Sequence, residues 1–323
     1  MKSLSIIIML LLACVGRNND QENHALAEDD FRVLGYLFSY SNWRLGYHTT
    51  DFSKFTDINL AFIQPDHTGK IERDDIFHFI VKKAKENQTR VYISIGGGGP
   101  PEYLGEFLTP EKRQVWIDEI MAFTTEYDFD GVDVDLENAL INEHYPAFVK
   151  ELSDRLKSEG KLMTAALASW NGDNIADETL ALYDYINIMS YDKTGPWNLD
   201  KPGQHSPYSM VGEDFEYYHV KRGVPADKLL IGLPFYGYGF GPGAPGSLRY
   251  HQIISTYPDA HLGDEISFPE GGTLYYNGPQ LIRRKAEFAR EKGAAGVMIW
   301  HIQADGAGEH SLLEAIWDVA RQK

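Results

Sequence analysis

The sequence predicts a single (β/α)8 barrel, the TIM-barrel class, from three observations. From Phe31 onward, short apolar or alternating runs recur eight times, and amphipathic or charged segments separate them. The units repeat about every 35 residues over roughly 290 residues, which suits one barrel of eight parallel strands. With 43% hydrophobic residues the 323-residue chain can fill one large core, and no shift in composition marks a second domain.

The strands are expected at Val33–Ser39, Asp57–Phe62, Arg90–Ile95, Gly131–Leu136, Leu162–Ala168, Tyr185–Met189, Leu229–Pro234 and Gly296–Trp300. Helical patterns lie between them at Asp74–Asn87, Pro110–Tyr127, Asn142–Ser158, Ile175–Tyr183 and Gln280–Lys292, several preceded by Asp, Thr or Asn at cap-like positions. Barrel sites form at the C-terminal ends of strands. Those ends carry Tyr36 and Tyr40, Phe62 and Gln64, Ser94 with Gly96 to Gly99, Asp135 with Glu137, Ser169 with Trp170, Met189 with Tyr191 and Asp192, Tyr236, and Trp300. Carboxyls, a phenol and flat aromatics at one mouth suit carbohydrate, whose ring faces stack on aromatics while its hydroxyls need fixed polar partners.

The fourth strand is the most informative. Period two puts Val132, Val134 and Leu136 on one face, ready for helices, and Asp133, Asp135 and Glu137 on the other. Like charges at this spacing repel and burial penalises each carboxylate, so at least one carboxyl is expected to hold a proton near neutral pH, as a general acid must. A solvated edge strand does not fit the Val-Val-Leu face. A calcium loop starting at Asp133 would have Asn138 where glycine belongs and His144 where glutamate belongs.

Other chemistries are excluded in the same way. Gly96-Gly97-Gly98-Gly99 is followed by Pro100-Pro101 instead of Gly-Lys-Ser/Thr, so it reads as a tight strand exit and not as a phosphate loop. The eleven histidines show no ligand spacing, and His205 and His301 read as ordinary core or surface residues. No Gly-x-Ser-x-Gly elbow is present. Neither metal nor cofactor is expected. The net charge of −17 argues against nucleic acid or an anionic membrane surface as partner.

Residues 1–16 read as an export signal, with Lys2 before an apolar run from Ile6 to Leu12 that is too short to span a bilayer. Leu11-Leu12-Ala13-Cys14 resembles a bacterial lipobox, which implies acylation of Cys14, the only cysteine in the chain. A lipid anchor on the outer membrane or cell surface follows, with residues 17–30 as a flexible tether and residues 31–323 as the barrel.

The barrel portion resembles glycoside hydrolase family 18, the chitinases and related enzymes. The family's Asp-x-x-Asp-x-Asp-x-Glu signature stands as Asp130, Asp133, Asp135 and Glu137, and three further motifs agree in order: Ser94-Ile95-Gly96-Gly97, Met189-Ser190-Tyr191-Asp192 and Trp300. The resemblance implies a retaining, substrate-assisted mechanism, an exception to the usual two-carboxylate scheme. It implies Glu137 as the acid, Asp135 orienting the substrate's acetamido group, Tyr191 bonding the acetamido oxygen, and Asp133 sharing a proton with Asp135. Trp300 is implied as the floor of the sugar pocket, shaped by Asp192 and Met189. Tyr36, Phe62, Gly97, Trp197 and Tyr236 complete the expected binding residues, and Trp197 is read as a wall of the groove.

There are departures. Leu136 and Asn138 flank the acid where many chitinases have Trp and Tyr, Tyr238 stands where Arg is often found, and Gly241 to Tyr275 is too short for the large α+β insertion of processive members. A shallower cleft and internal cleavage are the expectation. Three functions stay open: hydrolysis of β-1,4-linked N-acetylglucosamine in chitin, cleavage of the chitobiose core of N-glycans, and glycan binding without catalysis. Such a protein is expected to act as a monomer.

Overall fold

The computed structural model describes residues 31–38 and 42–322. The predicted signal, Cys14, the tether to residue 30, Ser39, Tyr40 and Lys323 lie outside the described residues.

Eight parallel strands close a barrel: β1 (Arg32–Phe38), β2 (Asp57–Ala61), β3 (Arg90–Gly96), β4 (Gly131–Asp135), β5 (Leu162–Leu167), β6 (Tyr185–Ile188), β7 (Leu229–Pro234) and β12 (Gly296–Trp300). Each pairs with its sequence neighbour, and β12 closes the ring between β7 and β1. Period two then sorts every strand into a helix-facing and an interior-facing side. Val132, Val134 and Leu136 are fully buried in the outer core, each worth about 1.5–3 kcal/mol of burial. Asp133 and Asp135 point inward.

Helices cover the outside: α1 (Trp43–Thr49), α2 (Ile76–Glu86), α3 (Arg113–Glu126), α4 (Tyr145–Ser158), α5 (Asp177–Leu180), α6 (Tyr208–Glu216), α7 (Tyr250–Thr256), α8 (Pro279–Glu291) and α9 (Leu312–Ala320). Local chemistry sets their starts. Ser311 accepts from the amide of Glu314 to cap α9, and proline opens both α4 and α8 where no amide partner is needed. α5 is only one turn of the longer helix expected over Ile175–Tyr183. α1, α6, α7 and α9 answer to none of the predicted helices. Among the described residues no helix is long and apolar enough to cross a membrane.

Between β7 and β12 the chain builds a second, antiparallel sheet from β8 (Tyr236–Phe240), β9 (Ser247–Arg249), β10 (Glu265–Ser267) and β11 (Thr273–Tyr275), in the order β10-β11-β8-β9. The large insertion is absent, as expected, but the connection is not plain loop. Its short strands carry Tyr236, Tyr238 and Tyr275, whose bulky rings suit a half-buried sheet.

Candidate active site

The carboxyl row on β4 is held by unequal surroundings. Asp133 is fully buried and accepts four neutral hydrogen bonds: Tyr36 Oη at 2.7 Å, Ser94 Oγ at 2.7 Å, Thr164 Oγ1 at 2.6 Å and Asn187 Nδ2 at 3.1 Å. Burial still raises its pKa, while those donors pull it back. Among the described residues no hydrogen bond joins Asp133 to Asp135, because neutral donors occupy both Asp133 oxygens. Asp135 is nearly as buried, yet among the described residues its Oδ1 has no hydrogen-bond partner. Burial first, then the charges of Glu137 and Asp133, push its pKa well above the ordinary range.

Glu137 follows β4 and is half-buried. Burial, with the charge of Asp192 second, raises its pKa from 4.5 to about 7. The glycine run gives this carboxyl room. Gly96 and Gly97 adopt positive φ of 103° and 87°. A Cβ on Gly96 would meet the Asp135 carbonyl oxygen at 2.2 Å, one on Gly97 would meet the Phe62 ring at 2.4 Å, and one on Gly98 would lie 3.3 Å from Glu137 Oε1.

The carboxyl opens on a cleft of about 840 Å³, bordered by Met189, Tyr191, Asp192, Trp170, Trp197 and Gly98. Gly98 also borders a second hollow of about 600 Å³ lined by Phe38, Phe62, Gln64 and Trp300. The strand exit that frees Glu137 therefore joins two halves of one groove. In the second half Phe62 stacks on Trp300 with centroids 5.6 Å apart, and Phe38 packs against the same indole at 5.1 Å. In the first half Trp170 and Trp197 are 69% and 62% exposed, so their faces are available to a ligand. Trp197 stands edge-on to Tyr238, and its ring lies over Gly195, where any side chain would collide at 2.4 Å.

The phenol of Tyr191 is buried, and its nearest partner is Met298 Sδ at 3.8 Å, a weak acceptor. A stronger acceptor entering the cleft can take that proton. Asp192 adopts a left-handed φ of 63°, tolerable for aspartate, and receives Tyr236 Oη at 2.5 Å. His205 Nδ1 lies 3.4 Å from the same oxygen, and its Nε2 lies 3.2 Å from the Tyr236 carbonyl. Burial lowers the pKa of His205, and a neutral ring has one N–H for two acceptors.

The predicted residues thus divide. Glu137, Tyr191, Asp192, Met189 and Trp197 border one half of the groove, with Phe62 and Trp300 in the other. Asp135 and Gly97 lie just beneath. Tyr36, expected to bind substrate, is 1% exposed; it lies a layer deeper and donates to Asp133. Tyr236, expected likewise, enters through its bond to Asp192. His205 and His301 are both buried, and His205 supports Asp192 instead of standing apart from the site. Lys193, Glu213 and Asp214 were not anticipated at the cleft; Lys193 pairs with Glu213 at 3.1 Å, and Asp214 accepts Ser169 Oγ at 2.5 Å. Glu213 and Asp214 belong to α6, for which no helix was predicted. Among the described residues no group of acids, histidines and cysteines is placed to hold a metal.

Comparison with known proteins agrees with this fold. The chain is similar to the GH18 chitinase ChiB from the chitin utilization locus of Flavobacterium johnsoniae, with 35% identity, a TM-score of 0.81, and coverage of 90% of this chain and 94% of that one. It is 26% identical to mouse chitotriosidase-1 over 69% of this chain and 60% of that protein. It is 27% identical to probable chitinase 10 of Drosophila melanogaster over 77% of this chain, which spans only 14% of that longer protein. The sequence profile of glycosyl hydrolases family 18 matches residues 32–305, from the first barrel strand past the last, and the chain belongs to that family.

Proposed function

We propose that this protein hydrolyses β-1,4 glycosidic bonds next to N-acetylglucosamine, in chitin or chitooligosaccharides, by a retaining, substrate-assisted mechanism. The observation that carries the reading is the pairing of Glu137, whose pKa is raised to about 7 at the cleft, with the buried and unpartnered Oδ1 of Asp135 beneath it. One group can hold a proton at neutral pH, and the other lacks a donor that a substrate N–H would supply.

In the proposed first step Glu137 gives its proton to the glycosidic oxygen as the C1–O bond breaks. The carbonyl oxygen of the substrate's 2-acetamido group forms the new bond to C1, giving an oxazolinium ion and releasing the leaving sugar. Asp135 accepts the acetamido N–H and offsets the positive charge, while the Tyr191 hydroxyl turns from Met298 to the acetamido oxygen. Ionised Glu137 then takes a proton from water, the water oxygen bonds to C1, and the ring opens with net retention. Trp300 and Phe62 form the apolar floor, and Trp170 and Trp197 the walls of the other half.

The test is product analysis of chitotetraose and of a high-mannose glycoprotein, beside Glu137→Gln. Chitobiose release that disappears in the variant supports the proposal. Glycan release from the glycoprotein alone replaces it with an endo-β-N-acetylglucosaminidase, and turnover of neither replaces it with a glycan-binding protein. We propose separately that Cys14 carries a lipid anchor; palmitate labelling lost in Cys14→Ala supports this, and labelling absent from the unaltered chain refutes it.

A further inference from the structure

α8 turns a stripe of Leu281, Ile282, Lys285, Ala286 and Ala289 into the core, and one member of that apolar stripe is a lysine. Lys285 is 0% exposed. Burial lowers its pKa from 10.5 to about 7, and in the ammonium form its three N–H groups meet three acceptors, each at 2.6 Å: Ser206 O, Ser206 Oγ and Asn277 Oδ1. A buried lysine is costly unless every donor is used, and these three acceptors use all of them. Packing alone would be served by leucine or methionine.

The acceptors lead to the catalytic loop. Ser206 Oγ donates to Ser190 O at 2.6 Å, and Lys193 N donates to His205 O at 2.9 Å. His205 Nδ1 faces Asp192 at 3.4 Å. The segment from Ser190 to Lys193, which carries Tyr191 and Asp192, is therefore strapped to His205-Ser206 by two hydrogen bonds, with the His205 ring packed against Asp192. The strap is fastened behind as well: Asn277 Nδ2 donates to Ser206 O at 3.2 Å, and Gln204 Nε2 donates to Tyr276 O at 2.6 Å. Asn277 and Tyr276 directly follow β11, so one lysine joins α8, the inserted sheet and the catalytic loop.

We infer that Lys285 is a positioning residue for hydrolysis: through Ser206 it fixes the Ser190 to Lys193 segment, and with it the placement of Asp192 beside the general acid. The inference rests on the proposed function for its kinetic readout but not for its structural one. Tyr236, Tyr238 and His205 interact with Asp192; Asp192, Asp135 and Tyr191 interact with Glu137; Asp264 and Asp214 act on Lys285 through their charge.

The test compares Lys285→Met and Ser206→Ala with the unaltered protein, using hydrogen–deuterium exchange of residues 190–206 and the pH profile of kcat on chitotetraose. Loosening the strap should speed exchange there and lower kcat about tenfold to hundredfold. It should also move the basic limb to lower pH, because a displaced Asp192 no longer raises the pKa of Glu137. A direct loss of positive charge would move that limb to higher pH, and a simple loss of folded protein would not move it. Either result, or unchanged exchange, overturns the inference. If Lys285→Met does not fold, Ser206→Ala carries both readouts. If the unaltered protein cleaves nothing, the proposed function fails and exchange alone decides the strap.

Discussion

Replacing Glu137 by glutamine should stabilise the protein at alkaline pH while abolishing turnover. In the folded state burial and the charge of Asp192 raise this carboxyl from 4.5 to about 7, so the folded protein holds the proton more tightly than the unfolded chain. Glu137 therefore contributes stability that is fully present below 4.5 and lost as the pH rises through about 7. Near pH 8 the ionised side chain costs up to about 3 kcal/mol relative to a neutral isostere. For a domain of this size that corresponds to a rise in Tm of roughly 6 °C in Glu137→Gln. Calorimetry of both proteins across this range tests it: the two melting temperatures should coincide below 4.5, draw apart progressively between 4.5 and about 7, and keep a constant gap above that. Burial is the larger cause and Asp192 the smaller, so adding Asp192→Asn should narrow the gap without closing it. A gap independent of pH, or a glutamine variant less stable near pH 8, would refute the assignment of Glu137 as the desolvated acid.

Tyr191→Phe removes a hydroxyl whose partner among the described residues is a weak sulfur acceptor, so stability should change little. Initial rates on chitotetraose should show kcat down about 10²- to 10³-fold, as for loss of one oxyanion donor. Trp197→Ala removes an exposed stacking surface worth about 0.5–1.5 kcal/mol, so KM for chitotetraose should rise severalfold with kcat retained; a fall in kcat alone would contradict its place as a wall. Gly96→Ala puts a Cβ against the Asp135 carbonyl at positive φ and should cost roughly 2–4 kcal/mol in urea unfolding. Gly99→Ala, with nothing within 4 Å, should cost almost none.

The fold was legible because eight strand-like runs recur along the chain with helical patterns between most of them. The eight predicted strands agree with the closed sheet to within a few residues at each end, since each carries β-branched or large apolar side chains that a helix layer must cover. The inserted sheet was not legible: three of its strands are only three residues long, too short to show alternation, and the fourth alternates glycine with aromatics. α6 was hidden for a different reason. It follows a Pro- and Gly-containing loop, and its inward side mixes Met210, Val211 and Phe215 with buried Asp214, so its apolar stripe is broken. The rim carboxyls and aromatics were readable from strand ends because position along a strand fixes depth in a barrel. His205 and Lys285 were not, because their roles depend on contacts between elements far apart in sequence.

Depth also explains why three carboxyls in a row are not three copies of one group. At the deepest position Asp133 is enclosed by four strands, and each supplies a neutral donor, so its charge is supported without a counter-ion. One layer up, Asp135 has the same burial but an oxygen with no donor, and it lies between two other carboxyls. Negative charge is therefore best supported on Asp133 and most costly on Asp135 until a donor reaches it. At the rim Glu137 exchanges part of that burial for the cleft, which lets its proton reach a bound substrate. An amide N–H arriving from the substrate would do for Asp135 what Tyr36, Ser94, Thr164 and Asn187 already do for Asp133. The strand thus reads as a gradient from satisfied to unsatisfied to accessible, and in the proposed mechanism the substrate would complete the unsatisfied middle step.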